Sequence, residues 1–147
     1  MPIHKYQRVV TPGPNGATLY FRNTETNDAL ELAELDGWHY VFVPEGATLP
    51  DQPPEIGWQP VTMTDALREQ IKAASRHCLL ISEAMQRRIR SVYSLEDEQY
   101  FARIGVGAVL GVYAFQPGEQ EALLAFGAHV ESVRQWGRAE RAKIGLA

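Results

Sequence analysis

The first 61 residues contain short stretches in which apolar and polar side chains alternate, and this pattern predicts β-strands. The clearest stretch is WHYVFVP, which begins at residue 38 and ends at Pro44. The residues on one face of this strand are Trp38, Tyr40 and Phe42, and those on the other are His39, Val41 and Val43. Because both faces carry apolar side chains, we expect other parts of the chain to cover both of them.

Two further stretches precede this strand. ATLYFRN, residues 17–23, follows the turn TPGPNG and alternates around Leu19 and Phe21, which predicts a second strand. DALELAEL, residues 28–35, fits neither the period of a strand nor that of a helix, so its structure stays open at this point.

From residue 62 onward, apolar residues recur at every third or fourth position, which is typical of amphipathic helices. The predicted helices are at about residues 64–75, 78–92, 95–115 and 119–144. Thr62 or Thr64 is the expected N-cap of the first helix and Ser94 that of the third, where Asp97 can complete a capping box with Ser94. Ser75 favours a break between the first two helices, and one long helix is the alternative.

Together these elements predict an α+β fold. Residues 1–61 are expected to form a small N-terminal antiparallel β lobe with a proline-rich extended segment, and residues 62–147 a helical hairpin or bundle. The boundary is expected near residues 60–63, because glycine and proline are frequent before it and absent from the stretch that follows. The apolar run from Ile104 to Phe115 is too short to span a bilayer, so we expect a buried core segment.

The charge of the chain argues against some classes of partner. The net charge is −4 and the isoelectric point is about 5.6, which disfavours a dedicated nucleic-acid-binding protein. Residues 1–60 carry three basic and eight acidic side chains, a net charge of −5, so the acidity is concentrated in the β lobe. The single cysteine, Cys78, cannot form an internal disulfide. The N-terminal residues lack the pattern of a signal peptide, and we expect a cytoplasmic protein without membrane contact.

Candidate catalytic chemistry is sparse. The SLEDE stretch clusters Glu96, Asp97 and Glu98, which could form an acid pair or a divalent-ion site, but acids also stabilise the start of a helix. None of the four histidines has the spacing of a zinc site, and the glycines between Ile104 and Phe115 lack the lysine of a phosphate-binding loop. We therefore predict no metal, no cofactor and no enzymatic activity, with a small acid-dependent enzyme as a minor alternative.

The segment GWHYVFVPEGATLPDQPPEIGWQPV, residues 37–61, is the most distinctive part of the chain. It contains five prolines, four aromatic residues and three acids, but no lysine or arginine. A stiff backbone loses little entropy on binding, and large rings contribute strongly to protein interfaces. The predicted partner-binding residues are Trp38, Tyr40, Pro50, Pro53, Pro54 and Trp58. The alternative is that these rings only join the β lobe to the helices.

The residues GWHYVFVPEGATLPDQPPEI resemble a segment of bacteriophage tail-fibre assembly chaperones, in which a Y(I/V)PxxxxLP run precedes a helical C-terminal region. The stretches RIRSVYSLEDEQYFARIG and HVESVRQWGRAERAKIGL are similar to the C-terminal regions of small phage and prophage tail proteins. The resemblance covers about half of the chain.

This resemblance implies a non-enzymatic chaperone in the host cytoplasm that binds a tail-fibre protein, usually a trimer, and assists its folding and assembly. The alternative is a structural tail or baseplate component that stays in the virion. In that case the apolar helix from Ile104 to Phe115 would be a contact between copies in a homo-oligomer.

Overall fold

The computed structural model describes residues 3–147, and within this range it contains antiparallel sheets and four α-helices. This confirms the α+β fold class. The strands are β1 Ile3–Tyr6, β2 Val9–Val10, β3 Thr18–Leu19, β4 Leu30–Leu35, β5 Trp38–Phe42 and β6 Gln59–Pro60. The helices are α1 Asp65–Ala74, α2 Arg76–Arg90, α3 Leu95–Val109 and α4 Glu119–Lys143.

The main sheet has four antiparallel strands in the order β4-β5-β1-β6, and β2 pairs with β3 in a separate ribbon. Strand β5 lies in the middle of the sheet, where the alternation of its side chains predicted a strand. The predicted strand at residues 17–23 is reduced to two residues, because Arg22 bonds through its backbone to the Gln52 side chain instead of to a strand. Strands β1 and β6 have no clear alternation and were not predicted.

Strand β4 explains why DALELAEL fits neither period. The pairing of β4 with β5 shifts between Glu31 and Ala33, which marks a β-bulge or similar irregularity. As a result two consecutive residues, Leu32 and Ala33, are both buried, at 2% and 8% exposure. A regular strand would place one of them in solvent, so the irregularity removes the alternation from the sequence.

Strand β5 is covered on both faces, as its sequence predicts. One face contributes Tyr40, with Trp38 and Phe42 at the margin, to a core that also contains Ile71 and Leu146. The opposite face contributes Val41 to a second core, which Val43, just after the strand, joins. The buried members of that second core are Tyr6, Phe21, Ala29, Val41, Val43 and Ile56.

The helix boundaries follow local capping signals. Thr64 accepts a hydrogen bond from the Leu67 backbone N–H, and Ser75 has extended backbone geometry between α1 and α2, which form two helices. The predicted capping box at the start of α3 is confirmed, since Ser94 and Asp97 bond reciprocally.

Helix α3 ends at Val109, earlier than the predicted residue 115. Gly111 has a φ of +71°, a left-handed conformation that favours glycine and ends the helix. The chain then folds back so closely that a Cβ atom at Gly107 would lie 2.8 Å from the Cβ of Tyr113. The glycines that weaken the helical pattern in the sequence therefore permit this turn.

The chain divides into two compact units, and the division differs from the sequence boundary near residues 60–63. The first unit contains the residues up to Leu80 together with Arg141–Ala147, and the second unit is Ile81–Glu140. The difference has a simple cause: Ile71 and Cys78 belong to the core of the sheet. Secondary structure changes near residue 62, but the apolar contacts of the sheet continue beyond it.

The second unit has an aromatic core of its own. Phe101 and Phe126 stack with ring centroids 5.0 Å apart, and Tyr93 meets them edge-on at 6.0 and 5.1 Å. Nearby, the Arg88 guanidinium lies 3.9 Å from the centre of the Trp136 ring, a favourable cation–π geometry. These contacts connect α2, α3 and α4 within this unit.

Helices α2 and α4 approach closely where α4 has a buried glycine. A methyl group at Gly137 would overlap the sulfur of Met85 and lie 3.1 Å from its terminal Cε. Gly127, on the same helix, has no heavy atom within 4 Å of the position that a Cβ would occupy. The two glycines therefore offer a matched comparison.

We expect Gly137→Ala to be less stable than Gly127→Ala by about 1–3 kcal/mol, because the added methyl displaces the Met85 side chain from the α2–α4 contact. Gly127→Ala should instead leave stability unchanged or raise it by up to about 1 kcal/mol, since alanine favours helix more than glycine. Thermal unfolding followed by circular dichroism measures both. Equal melting temperatures for the two variants would contradict the close approach at Gly137.

Candidate functional site

The segment of residues 44–60, called the proline segment from here on, is fixed to the β lobe by hydrogen bonds. The Gln52 side chain accepts a bond from the Arg22 N–H and donates to the carbonyls of Arg22 and Pro50, each at 2.8 Å. The Ile56 carbonyl accepts a bond of 2.9 Å from the Gln7 N–H, and the Ile56 side chain is fully buried. The segment is thus ordered before any partner binds.

The outward side of this segment is acidic and accessible. Pro50, Asp51, Pro54 and Glu55 are all exposed. No lysine or arginine occurs between residues 44 and 60, so no cation within the segment neutralises these carboxylates. A rigid acidic ridge of this kind can orient a partner that carries basic groups.

Two of the predicted partner-binding residues are not accessible. Tyr40 is 7% exposed because it lies on the face of β5 that packs against α1, and burial raises the pKa of its hydroxyl. Pro53 is also buried, at the start of the short turn that carries Ile56 into the second core. Both residues belong to the interior, and they are removed from the set of predicted contact residues.

The two tryptophans are half-buried, and their rings pack within the β lobe. The Trp58 ring is stacked between His4 and Phe21, with centroid distances of 4.8 Å to each. Trp38 has the Lys5 ammonium 4.3 Å from the centre of its ring. Trp58 is therefore mainly an internal packing group, as the alternative interpretation of these rings expects. Trp38 lies at the margin of the first core.

The acidic SLEDE cluster has structural roles. Hydrogen bonds from the backbone and hydroxyl of Ser94 lower the pKa of Asp97, as expected for a capping residue. Glu98 forms an ion pair of 3.2 Å with Arg90, which joins α2 to α3. Among residues 3–147, no group of histidine, cysteine and acidic side chains is arranged to hold a metal ion.

A polar network that the sequence did not indicate joins three strands of the main sheet. His39 Nδ1 lies 2.8 Å from one oxygen of Glu31, and the Tyr6 hydroxyl donates to the other oxygen at 3.0 Å. Arg8 approaches the same carboxylate at 3.5 Å. Because His39 and Tyr6 are buried and stacked on each other at 4.9 Å, the network ties the strands together. Its members are distant in the sequence, so no local pattern identifies it.

The C-terminal half of α3 exposes a second candidate surface. Ile104 is 5% exposed, as expected for a core segment, but Val106 is 59% exposed and Val109 is 88% exposed. The expectation that the run from Ile104 to Phe115 is buried is therefore correct for one face of the helix only. Beside these valines is an apolar groove of about 470 Å³, called the α3 groove, which is lined by Ala102, Arg103, Val106, Gly107, Leu110 and Val112.

A hydrogen-bond network holds the connection that follows the α3 groove. The Glu119 carboxylate, at the start of α4, accepts bonds from the Tyr100 hydroxyl, from the Tyr113 hydroxyl at 2.7 Å and from the Gln116 N–H at 2.7 Å. These bonds lower the pKa of Glu119, and the bond to Glu119 raises the pKa of Tyr100 to about 12. The network thus pins the loop between α3 and α4 to both helices.

Comparison with known proteins adds no relative: no family model, no curated protein and no solved structure matches this chain. Within residues 3–147, the helices are too short or too polar to traverse a bilayer. The functional argument therefore depends on the surfaces described above.

The Glu119 network makes a testable prediction about tyrosine ionisation. The Tyr100 pKa of about 12 in the folded chain is above the unfolded value of about 10, so this bond contributes stability below pH 10 and loses it as pH rises through 12. We expect an alkaline titration followed by phenolate absorbance to show a tyrosine with a midpoint near 12. Glu119→Gln should move that midpoint towards 10.

Tyr100→Phe provides the assignment control, because it should remove the transition near 12. The pKa of Tyr113, which Glu119 also raises, should change as well, because Tyr113 interacts with Tyr100. A late transition that persists in Tyr100→Phe would show that another tyrosine is responsible.

Proposed function

We propose that this protein is a bacteriophage tail-fibre assembly chaperone that binds its fibre protein non-covalently. The resemblance of residues 37–56 and of the C-terminal stretches to that family supports the proposal. The observation that carries it is the proline segment, which is fixed by internal hydrogen bonds while Pro50, Asp51, Pro54 and Glu55 face solvent.

Such a segment loses little conformational entropy when it binds a partner. Each proline restricts φ, and the Gln52 bonds to Arg22 fix the backbone at the centre of the segment. A partner therefore meets a surface whose conformational entropy has already been lost during folding. The exposed carboxylates then add orientation and a faster association rate with a basic partner.

A chaperone would use this surface to bind fibre chains that have not yet assembled. Fibre chains are rich in β structure, and before they trimerise they expose strand edges and apolar faces that promote aggregation. A rigid ridge that binds such a chain reversibly would keep it soluble until three chains are in register. The proposed contact residues are Pro50 and Pro54, with Asp51 and Glu55 added as charged contacts. Trp38 packs on the opposite face of the sheet, so it is not part of this ridge.

Trp58 has a different part in this proposal. Its ring is stacked between His4 and Phe21, so Trp58→Ala would lower the stability of the β lobe as well as binding. Trp58 is therefore a positioning residue that packs beneath the proline segment. A substitution of Trp58 would not distinguish the loss of a partner contact from the loss of β-lobe stability.

The test is co-purification with the tail-fibre protein encoded in the same phage or prophage genome. We expect the double variant Asp51→Lys and Glu55→Lys to reduce the amount of fibre retained by about tenfold or more, because it replaces two exposed carboxylates with cations in the ridge. Both side chains are exposed, so the melting temperature should not change.

The matched control is Glu25→Lys with Asp28→Lys, which makes the same change of charge at two exposed acids elsewhere in the β lobe. This control should retain the fibre as the unmodified chain does. If both double variants retain the fibre equally, the proline segment is not the contact surface. If the unmodified chain retains no fibre protein, the chaperone function itself is refuted.

A structural tail or baseplate component is the second candidate function, and the exposed apolar side of α3 favours it. Chains that remain in a particle are held by permanent contacts, and such contacts are more apolar than transient ones. Quantitative mass spectrometry of purified particles separates the two functions. A fixed, stoichiometric copy number relative to the fibre would support the tail component, and absence from particles would support the chaperone.

A further inference from the structure

Helix α3 is apolar on two sides, and only one of them is covered. Phe101 and Ile104 face the aromatic core of their own unit and are 9% and 5% exposed. The other side contains Val106 and Val109, at 59% and 88% exposure. Exposed apolar patches often mark contact surfaces, so the second side of α3 is a candidate interface.

The α3 groove on this side has a definite chemical character. It is a shallow, open depression of about 470 Å³ that is lined by small and apolar residues, so it can accept a side chain that protrudes from another surface. Arg103 is the one charged residue in the lining, and among the described residues it forms neither an ion pair nor a side-chain hydrogen bond. The groove therefore fits a protruding apolar side chain that has a carboxylate beside it.

Helix α4 of this same chain offers that combination. Leu124 is 66% exposed, and the exposed acid Glu121 precedes it by three residues, so both lie on one face of the helix. The adjacent Leu123 packs beside Gly105 of α3, where a Cβ atom would lie 3.4 Å from the Leu123 side chain. Leu124 and Glu121 on α4 therefore belong to the same helical hairpin as the α3 groove.

We propose that the α3 groove binds a second copy of this chain. In a twofold dimer, Leu124 of each copy enters the α3 groove of the other, and Glu121 of each copy pairs with Arg103 of the other. A twofold axis makes every such contact twice, so one complementary pair of features is sufficient to form a closed dimer.

The size of the surface sets the expected affinity. A helix of 15 residues is about 22 Å long, so the surface that α3 and the start of α4 offer on each copy is short. Small interfaces belong to the weaker class of complexes, so we expect a dimer that dissociates on dilution. A second copy is the occupant for which the structure itself supplies a complementary charge and side chain.

The test is sedimentation velocity of the full chain over a wide range of protein concentration. We expect the mass to rise from 16.5 kDa towards twice that value as concentration increases. Leu124→Ser should weaken the dimer about tenfold or more, because the lost apolar contact occurs twice. Arg103→Glu and Glu121→Arg should each weaken it about three- to tenfold, since like charges then face each other.

The double variant Arg103→Glu with Glu121→Arg restores the opposite charges and should recover most of the affinity. Arg87→Glu, an exposed change elsewhere in the same unit, is the control and should leave the affinity unchanged. Circular dichroism spectra should be the same for all variants. A chain that stays monomeric at every concentration would overturn the proposal, and so would a dimer that Leu124→Ser and Arg103→Glu do not weaken. This test requires no fibre protein, so its outcome is independent of the proposed chaperone function.

Discussion

Covering both faces of strand β5 is the constraint on which the β lobe depends. Tyr40 on one face and Val41 on the other are 7% and 0% exposed, so neither face can be left to solvent. The first face is covered by Ile71 from α1 and by Leu146 near the C-terminus. The second is covered by Ile56, which the proline segment carries, together with other apolar side chains. The proline segment therefore has a structural role, which is to cover one face of the sheet, in addition to being a candidate binding surface.

This constraint explains which predicted contact residues are accessible and which are not. The segment needs inward-facing residues to cover the sheet, and Ile56 and Pro53 serve that purpose. Pro54 and Glu55 lie between them on a short 3-10 turn and are exposed, and Pro50, which precedes Pro53, is exposed as well. From the sequence alone all of these residues look equivalent, because composition identifies a rigid segment but not which of its sides meets the sheet.

Features that depend on neighbours in the sequence could be predicted, and features that depend on distant pairing could not. The two-faced strand at Trp38–Phe42, the capping box of Ser94 with Asp97 and the break at Ser75 all arise from residues within one turn or one strand. The irregularity in β4 and the His39–Glu31 network depend instead on strand register.

The extent of the first unit was missed for a similar reason. It depends on where α1 and the C-terminal residues pack, as the position of Leu146 in the sheet core illustrates. Helical periodicity predicts that such residues are buried, but it does not say against which element. The change in composition near residue 62 therefore located a change in secondary structure and not the edge of a compact unit.

The two candidate surfaces share one property: folding of the chain does not require their side chains. Val106 and Val109 are mostly exposed on a helix, where valine has lower helix propensity than lysine, glutamate or alanine. Polar residues at these positions would be more soluble and equally compatible with the aromatic core. Asp51 and Glu55 likewise form neither ion pairs nor side-chain hydrogen bonds among the described residues, yet they crowd negative charge onto one ridge. Both surfaces are the basis of the contacts proposed above, and their chemistry differs: charge on the β lobe and apolar area on α3.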